Sequence, residues 1–292
     1  TAVGKTALSL NLAQEFNGEI VSADSRLFYR GMDIGTAKPT ETEKTTVPHH
    51  LIDICDPDDT LTLGQYQRLA YETINDIISR GRLPVLVGGT GQYVMAVVEG
   101  WGIPKVAPHP ALRRQLELLD SAELARWLQL LDPPAAKRID PRNVRRVVRA
   151  LEVILVSGRP ISKLQEKAPP PYKIQMIGLH RRRSALYERI DHRVDRMLAN
   201  GLVEEVSRLK ELGYDAQLPA MSGLGYRQIL AYLRGEMSLE EAADRVKFET
   251  HRFARQQATW FRQDDPRIHW FDASATDQLK DIRVNVANWL ST

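Results

Sequence analysis

The segment Thr1-Ala2-Val3-Gly4-Lys5-Thr6, followed by a helical pattern, carries residue types that hold phosphate oxygens. Gly-Lys-Thr ahead of a helix is the second half of the loop G-x-x-x-x-G-K-[ST]. In that loop backbone amides and the lysine bind phosphate, and the threonine hydroxyl ligates Mg²⁺. Its first glycine and the strand before it would lie upstream of Thr1, so half of this nucleotide-binding motif is visible. Asp24 is the next candidate. Glu19-Ile20-Val21-Ser22-Ala23 reads as a short strand delivering Asp24-Ser25-Arg26 to its carboxyl end, where open α/β sheets place ligands. That position makes Asp24 a candidate site residue, the alternative being an aspartate that caps the next turn. Gly88-Gly89-Thr90-Gly91 closes a later apolar run with a turn that lets backbone approach a ligand closely.

Three groups of arginines complete the chemistry. Arg142, Arg145, Arg146 and Arg149 recur at spacings of three and four, a cationic ridge with no carboxylates to neutralise it and a fit for phosphate groups. Arg189, Arg193 and Arg196 line a second stripe; the planar guanidinium fork donates two hydrogen bonds at once, as a pyrophosphate clamp requires. Arg252, Arg255, Thr259 and Arg262 share the face of a helix that also carries Phe253, Trp260 and Phe261. Arginine and glutamine interleaved with aromatics suit single-stranded RNA better than duplex, although the aromatics serve equally as core.

These groups need elements to position them. Leu8, Leu12 and Phe16 recur at helical spacing through Asn17, placing the phosphate at a helix N-terminus. Thr62-Leu63-Gly64-Gln65 is a capping box that opens a helix with the face Tyr66, Leu69, Ala70, Thr73 and Ile77, closed by Gly81. Leu83-Pro84-Val85-Leu86-Val87 reads as a fully buried strand, with a helix around Gln92 to Val98 behind it. Three strand-to-helix units predict a parallel sheet flanked by helices. Gly31 to Pro39 reads as an ordered loop near the site, and Leu51-Ile52-Asp53-Ile54 as strand-like. His49 and His50, adjacent on an extended segment, face opposite ways, which disfavours a shared metal and favours structural roles.

From Pro104 to Pro110 the composition shifts, and the next sixty or so residues show helices without strands, an inserted all-helical domain. Its main helix is expected to run from Asp140-Pro141, as N-cap and first-turn proline, to Gly158. Pro169-Pro170-Pro171 marks the return. Lys173 to Leu179 then reads as a strand, and Leu186, Ile190, Val194 and Met197 as the inner face of a helix. The box Ser238-Leu239-Glu240-Glu241 opens the long helix expected to reach Arg262, and Arg267 to Phe271 forms a last strand. The domain reading is therefore a core of residues 1–107 and 168–292 with an insertion of residues 108–167.

Composition sets the outer limits. At 292 residues with 43% hydrophobic side chains the chain builds a substantial core. Its 40 Lys+Arg against 37 Asp+Glu leave a net charge of +3, so any polyanion must be met by local patches. The single cysteine, Cys55, excludes an intrachain disulfide and zinc sites built from paired cysteines, which fits a reducing compartment and makes the cytoplasm the default location. No apolar run approaches transmembrane length, and no membrane partner is expected.

Taken in order, these stretches resemble the tRNA dimethylallyltransferases, also called tRNA isopentenylpyrophosphate transferases, nearly end to end. The resemblance rests on Thr1 to Thr6; Asp24-Ser25 with Tyr29 to Pro39; Gly88-Gly89-Thr90-Gly91; Arg149-Ala150-Leu151-Glu152; Gly225-Tyr226-Arg227-Gln228; and Arg255-Gln256 with Thr259-Trp260-Phe261-Arg262. It implies a P-loop NTPase-like fold with an inserted helical domain. The implied reaction is transfer of a dimethylallyl group from dimethylallyl diphosphate to N6 of the adenosine 3′ of the anticodon. It also implies a role for each residue. Thr1, Ala2, Val3, Gly4, Lys5 and Thr6 hold the diphosphate, with Mg²⁺ on the Thr6 hydroxyl and Arg193 opposite. Asp24 takes the N6 proton and Thr90 places base and diphosphate. Asp24, Ser25, Arg26, Leu27, Thr90, Arg145, Arg146, Arg149, Gly225, Tyr226, Arg227, Arg255, Gln257 and Arg262 meet the tRNA anticodon stem-loop. The working unit is expected to be a monomer. Leu27, Val3 and Gln92 depart from the family's usual Gln, Ser and Leu, which bears on fine sequence preference. Competing expectations are an adenylate isopentenyltransferase acting on free nucleotide, a small-molecule P-loop kinase, and a catalytically silent RNA-binding protein.

Overall fold

The computed structural model describes residues 1–292, which divide into two compact units, residues 1–94 with 172–292 and residues 95–171. The first unit is built on parallel strands. Its elements are α1 (Lys5–Glu15), β1 (Gly18–Ser22), α2 (Glu41–Thr46), β2 (His49–His50), α3 (Leu63–Ser79), β3 (Leu83–Val87) and α4 (Gly91–Val98), the last running into the second unit. The second unit holds α5 (Pro110–Leu116), α6 (Ser121–Leu131), α7 (Pro133–Arg138), α8 (Val144–Ser157) and α9 (Ile161–Leu164). The chain then returns through β4 (Met176–His180), α10 (Arg183–Ala199), α11 (Leu202–Glu211), α12 (Tyr226–Leu233), α13 (Leu239–Gln257), β5 (Ile268–Asp272) and α14 (Gln278–Leu290). No helix is long and apolar enough to cross a membrane.

Strands β2, β1 and β3 form one sheet in that order, and β4 pairs with β5; every pairing is parallel. Register in the first sheet sets Ile20 beside Val85 and Ser22 beside Val87, so the carboxyl ends of β1 and β3 finish level. Asp24 and Thr90 leave from those two ends. Behind them Tyr66 is fully buried, donates its hydroxyl to Ser22 O at 3.1 Å, and meets the Tyr93 ring edge-on at 4.6 Å. The capping box at Thr62 therefore does more than start α3, because it fixes where Tyr66 supports β1.

Four expectations need correction. Strand β3 is only partly buried: Val85 and Val87 pack on Ala13, Ile20 and Val47, but β3 pairs with β1 alone and stands at the edge of its sheet. The strand expected at Leu51 to Ile54 is limited to His49 and His50, because Leu51 and Asp53 take left-handed backbone angles that leave the ladder. Helix α8 begins at Val144, capped by Asn143, whose Oδ1 accepts from Arg146 N at 3.2 Å; Asp140 instead accepts from Arg142 N in its own turn. Finally α13 ends at Gln257. Ala258, Thr259 and Trp260 donate to carbonyls three residues back, tightening the last turn, so Thr259 and Arg262 lie beyond the helix and share no continuous face with Arg252.

In the second unit, Leu124, Leu128, Val147, Leu151 and Val153 form one core, as the period of α8 requires. Glu152, fully buried, is met by Arg113 at 2.8 Å and by Arg149, and accepts from His109 N at 2.6 Å. The ridge expected from four arginines is thus half neutralised. Arg142 pairs with Asp140 and Arg149 with Glu152, while Arg145 and Arg146 stay exposed.

Candidate active site

The phosphate loop begins from its backbone. Ala2 and Gly4 both hold positive φ, 53° and 117°, and Gly4 caps α1 without a side-chain bond. Alternating left-handed residues before a helix gather amide N–H groups into an anion-binding concavity. Two arginines hold the loop from behind: Arg189 Nε donates to Ala2 O at 2.9 Å and Arg181 Nε to Val3 O at 3.3 Å. With carbonyls engaged on that side, the amides are left for a ligand. Arg181 was not anticipated from the sequence, since nothing in its spacing sets it apart from its neighbours.

Lys5, Arg193 and Asp24 form one electrostatic group. Burial pushes the Lys5 ammonium below its ordinary range, and the Asp24 carboxylate pulls it back while Arg193 adds to the lowering. Arg193 is likewise lowered by burial and supported by Asp24. Two desolvated cations against one carboxylate leave a positive site, which a bound polyanion would relieve. Arg193 reaches it from α10, with Nη2 donating to Thr36 O at 3.4 Å.

That carbonyl belongs to the Gly31 to Pro39 loop, which is held by buried charge. The Glu205 carboxylate accepts from Asp33 N, Ile34 N and Gly35 N at 2.9, 2.7 and 3.2 Å. Lys38, its side chain 3% exposed, joins Asp33 at 2.6 Å and Asp53 at 2.5 Å. Gly35 is needed because a Cβ would lie 2.6 Å from the Tyr226 ring. Glu205 did not stand out in the sequence, where it looks like an ordinary surface charge, and Lys38 stood out only as part of the Gly31 to Pro39 loop.

Asp24 Oδ1 accepts from Arg26 N at 3.0 Å, so the turn-capping role is real, and one oxygen remains for a substrate proton. Ser25 N donates to Thr90 Oγ1 at 3.4 Å, tying the Asp24 turn to the Gly88-Gly89-Thr90-Gly91 turn. A Cβ on Gly88 would collide with the Ala23 carbonyl, so the glycine is what lets β3 close on β1 here. The structure thus brings Lys5, Asp24, Thr90 and Arg193 together. Thr6 sits in the first turn of α1 with its side chain exposed.

The expected RNA contacts divide. Arg145, Arg146 and Arg255 are exposed, and Arg255 Nη1 donates to Tyr187 Oη at 2.6 Å. Arg26 spends its guanidinium on Pro219 O and Ala220 O at 2.8 and 3.1 Å. Arg227 pairs with Glu249, and Arg262 with Asp264 at 2.7 Å. Tyr226 is 1% exposed and donates its hydroxyl to Glu205, so it shapes the loop and has no face for a base. Gln257 points inward to the glycine turn. Leu27 N donates to Asp24 O at 3.2 Å within the same turn, and Gly225, at φ 92°, starts α12.

Comparison with known proteins agrees over almost the whole chain. The IPP transferase family model matches residues 27–264. A tRNA dimethylallyltransferase of Roseiflexus sp. (strain RS-1) is 54% identical over 294 residues, spanning 99% of this chain and 96% of the relative. One from Thermomicrobium roseum is 52% identical over 98% of this chain and 88% of its own length. Among solved structures, the tRNA isopentenylpyrophosphate transferase of Bacillus halodurans superposes with a TM-score of 0.75 at 41% identity, covering 100% of this chain and 94% of that one. A eukaryotic dimethylallyltransferase acting on tRNA superposes with 0.87 at 26% identity, covering 100% and 77%. By sequence and by fold, this chain belongs to the IPP transferase family.

Proposed function

We propose that this chain transfers the dimethylallyl group of dimethylallyl diphosphate to N6 of the adenosine 3′ of the anticodon in tRNA. The observation that carries the reading is the placement of Asp24 against Lys5 and Arg193, a carboxylate beside a cationic anion site. The relatives' names, tRNA dimethylallyltransferase, and a neighbour solved acting on tRNA support the same acceptor and group.

The chemistry follows from the residues. Adenine N6 attacks C1 of the dimethylallyl group while the carbon–oxygen bond breaks and its electron pair leaves with the diphosphate. Lys5, the loop amides and Arg193 stabilise the charge that grows on the departing oxygens. Asp24 receives the proton that N6 must lose. An exocyclic amine is a weak nucleophile because its lone pair is shared with the ring, and general-base assistance contributes roughly 10²–10⁴-fold. Mg²⁺ fits the donor set. It keeps several waters and takes one or two protein oxygens plus phosphate oxygens, so the exposed Thr6 hydroxyl suffices without a carboxylate cluster. Bound there, the ion would neutralise diphosphate charge.

The flipped adenine is to be placed by Thr90 and the Asp24 turn, at a cost of a few kcal/mol that contacts to flanking nucleotides offset. Arg255 and the exposed Arg145 and Arg146 are the proposed phosphate contacts, with the helical unit of residues 95–171 gripping the stem-loop. Because Lys5, Asp24, Thr90 and Arg193 gather within one chain, we assign the activity to a monomer, and place it in the cytoplasm with its tRNA. Incubating the chain with an anticodon stem-loop and dimethylallyl diphosphate, then weighing the RNA, tests the reading. The expected product is RNA heavier by one dimethylallyl group. Prenylation of free AMP with the stem-loop ignored would overturn it.

A further inference from the structure

Gln257 occupies a position that its place on an RNA-facing helix does not explain. It is the last residue of α13, and its side chain turns away from the exposed arginines into the site. Nε2 donates to Gly89 O at 2.8 Å, and Oε1 accepts at 2.8 Å from the α-ammonium nitrogen of Thr1, which is a backbone amide wherever a residue precedes it. One amide therefore bridges the glycine turn that carries Thr90 and the loop that carries Lys5. Those two segments come from different strand-to-helix units, and α13 belongs to neither.

Two further contacts mark this as a built junction. A Cβ on Gly89 would fall on Gln257 Nε2, and a Cβ on Gly91 would fall on the Trp260 ring, so the glycine turn is shaped to receive the end of α13. Lys5 Nζ lies 3.5 Å from the same Gly89 position. Two residues before the bridge, Arg255 binds Tyr187, whose ring stacks on His251 at 4.0 Å and 10° between planes. Tyr187 sits on α10, the helix that presents Arg193. The end of α13 thus touches the phosphate loop, the glycine turn and α10, which supply Lys5, Thr90 and Arg193, with Arg255 alongside on the solvent face.

We infer that Gln257 is a positioning residue for prenyl transfer. It holds the Thr90 turn against the phosphate loop, and so joins the helix that meets RNA to the assembly of the diphosphate site. It does not touch RNA. This rests on the proposed reaction, but the bridge itself acts on diphosphate binding, which is measurable without turnover. An amide is the side chain that fits, since it must donate to a carbonyl on one side and accept from an amine or amide on the other. Leucine keeps the volume and loses both bonds. Glutamate keeps the acceptor for Thr1 N and loses the donor for Gly89 O.

The test compares wild type, Gln257→Leu and Gln257→Glu in three measurements. These are inorganic pyrophosphate binding by calorimetry, stem-loop binding by fluorescence anisotropy, and the single-turnover transfer rate with both substrates saturating. For Gln257→Leu we expect pyrophosphate binding weakened about tenfold and the transfer rate lowered about 10–100-fold, as loss of two half-buried bonds implies, with stem-loop affinity within twofold of wild type. Gln257→Glu should fall between. Gly89→Ala, which forces the same amide aside from the opposite partner, should reproduce the pattern if the leucine variant does not fold. A stem-loop affinity lowered tenfold with pyrophosphate binding unchanged would overturn the inference and make Gln257 an RNA contact. No change in any measurement would overturn it as well. Absence of transfer by wild type that still binds pyrophosphate would count against the proposed reaction and leave the bridge to be judged by calorimetry.

Discussion

Tyr226 donates its hydroxyl to Glu205 Oε1 at 2.7 Å, with both side chains buried, and that bond completes the anchor of the loop whose Thr36 carbonyl receives Arg193. Burial and the neighbouring carboxylate push the Tyr226 phenol far above its ordinary range, so it remains a neutral donor at any working pH. Glu205→Ala leaves three backbone amides and the phenol without their acceptor. We expect a loss of about 3 kcal/mol or more in urea unfolding, against about 1 kcal/mol for Tyr226→Phe. If the loop seats Arg193, Tyr226→Phe also raises KM for dimethylallyl diphosphate while leaving that for the stem-loop unchanged.

Asp24→Asn separates proton transfer from folding. Asparagine keeps an oxygen to accept from Arg26 N, so the turn is preserved, but it takes no proton from adenine N6. The transfer rate should drop about 10²–10⁴-fold with stem-loop affinity within about threefold of wild type. A matching loss of RNA affinity would show that the carboxylate works through the nucleic-acid contact.

Arg149 and Arg145 lie on one helix and should fail differently. Arg149 donates to the buried Glu152 and to Val106 O at 2.8 Å, so Arg149→Ala is expected to destabilise the helical unit by about 2 kcal/mol. Arg145 is exposed, and Arg145→Ala should leave thermal stability unchanged while reducing the slope of log Kd against log salt for the stem-loop by roughly one phosphate contact. Equal melting temperatures for both variants would refute the division.

Acid sensitivity should centre on Glu19, which is 1% exposed at the base of β1. Its carboxylate is held near pKa about 2, chiefly by Arg80, with His50 and Arg82 adding to the effect against the cost of burial. The ordinary value is 4.5, so the folded-state pKa is depressed. The stabilisation is then full above pH about 4.5 and is lost as the pH falls toward about 2. Glu19→Gln should flatten the stability profile of the first unit across that window, measured by denaturant titration at successive pH values. A profile still as steep as wild type would assign the acid transition to other carboxylates, such as Glu152.

The sequence by itself determined what is local. Gly4-Lys5-Thr6 before a helical repeat, the capping boxes at Thr62 and Ser238, and the strand leading to Asp24 are each fixed by contacts within a few residues, and each lies where its pattern puts it. The order of motifs carried the family for the same reason, since side-chain chemistry at fixed spacing survives without knowledge of what packs on it.

Only the tertiary structure decided which charges are free. Arg149 and Arg145 read alike along α8, yet a carboxylate on the same helix and an arginine from α5 make one of them structural. Gln257 and Arg255 read alike at the end of α13, yet one turns into the glycine turn and the other stays at the surface. Glu205 and Lys38 look like solvated charges until loops distant in sequence close over them. The physical reason is that a charge or amide is committed by what packs around it and its partner, much of it far along the chain, and the cost of leaving it buried and unpaired exceeds any preference its own neighbours impose. The phosphate loop was legible as a motif; what holds it in shape, Arg181, Arg189 and Gln257, was settled by packing.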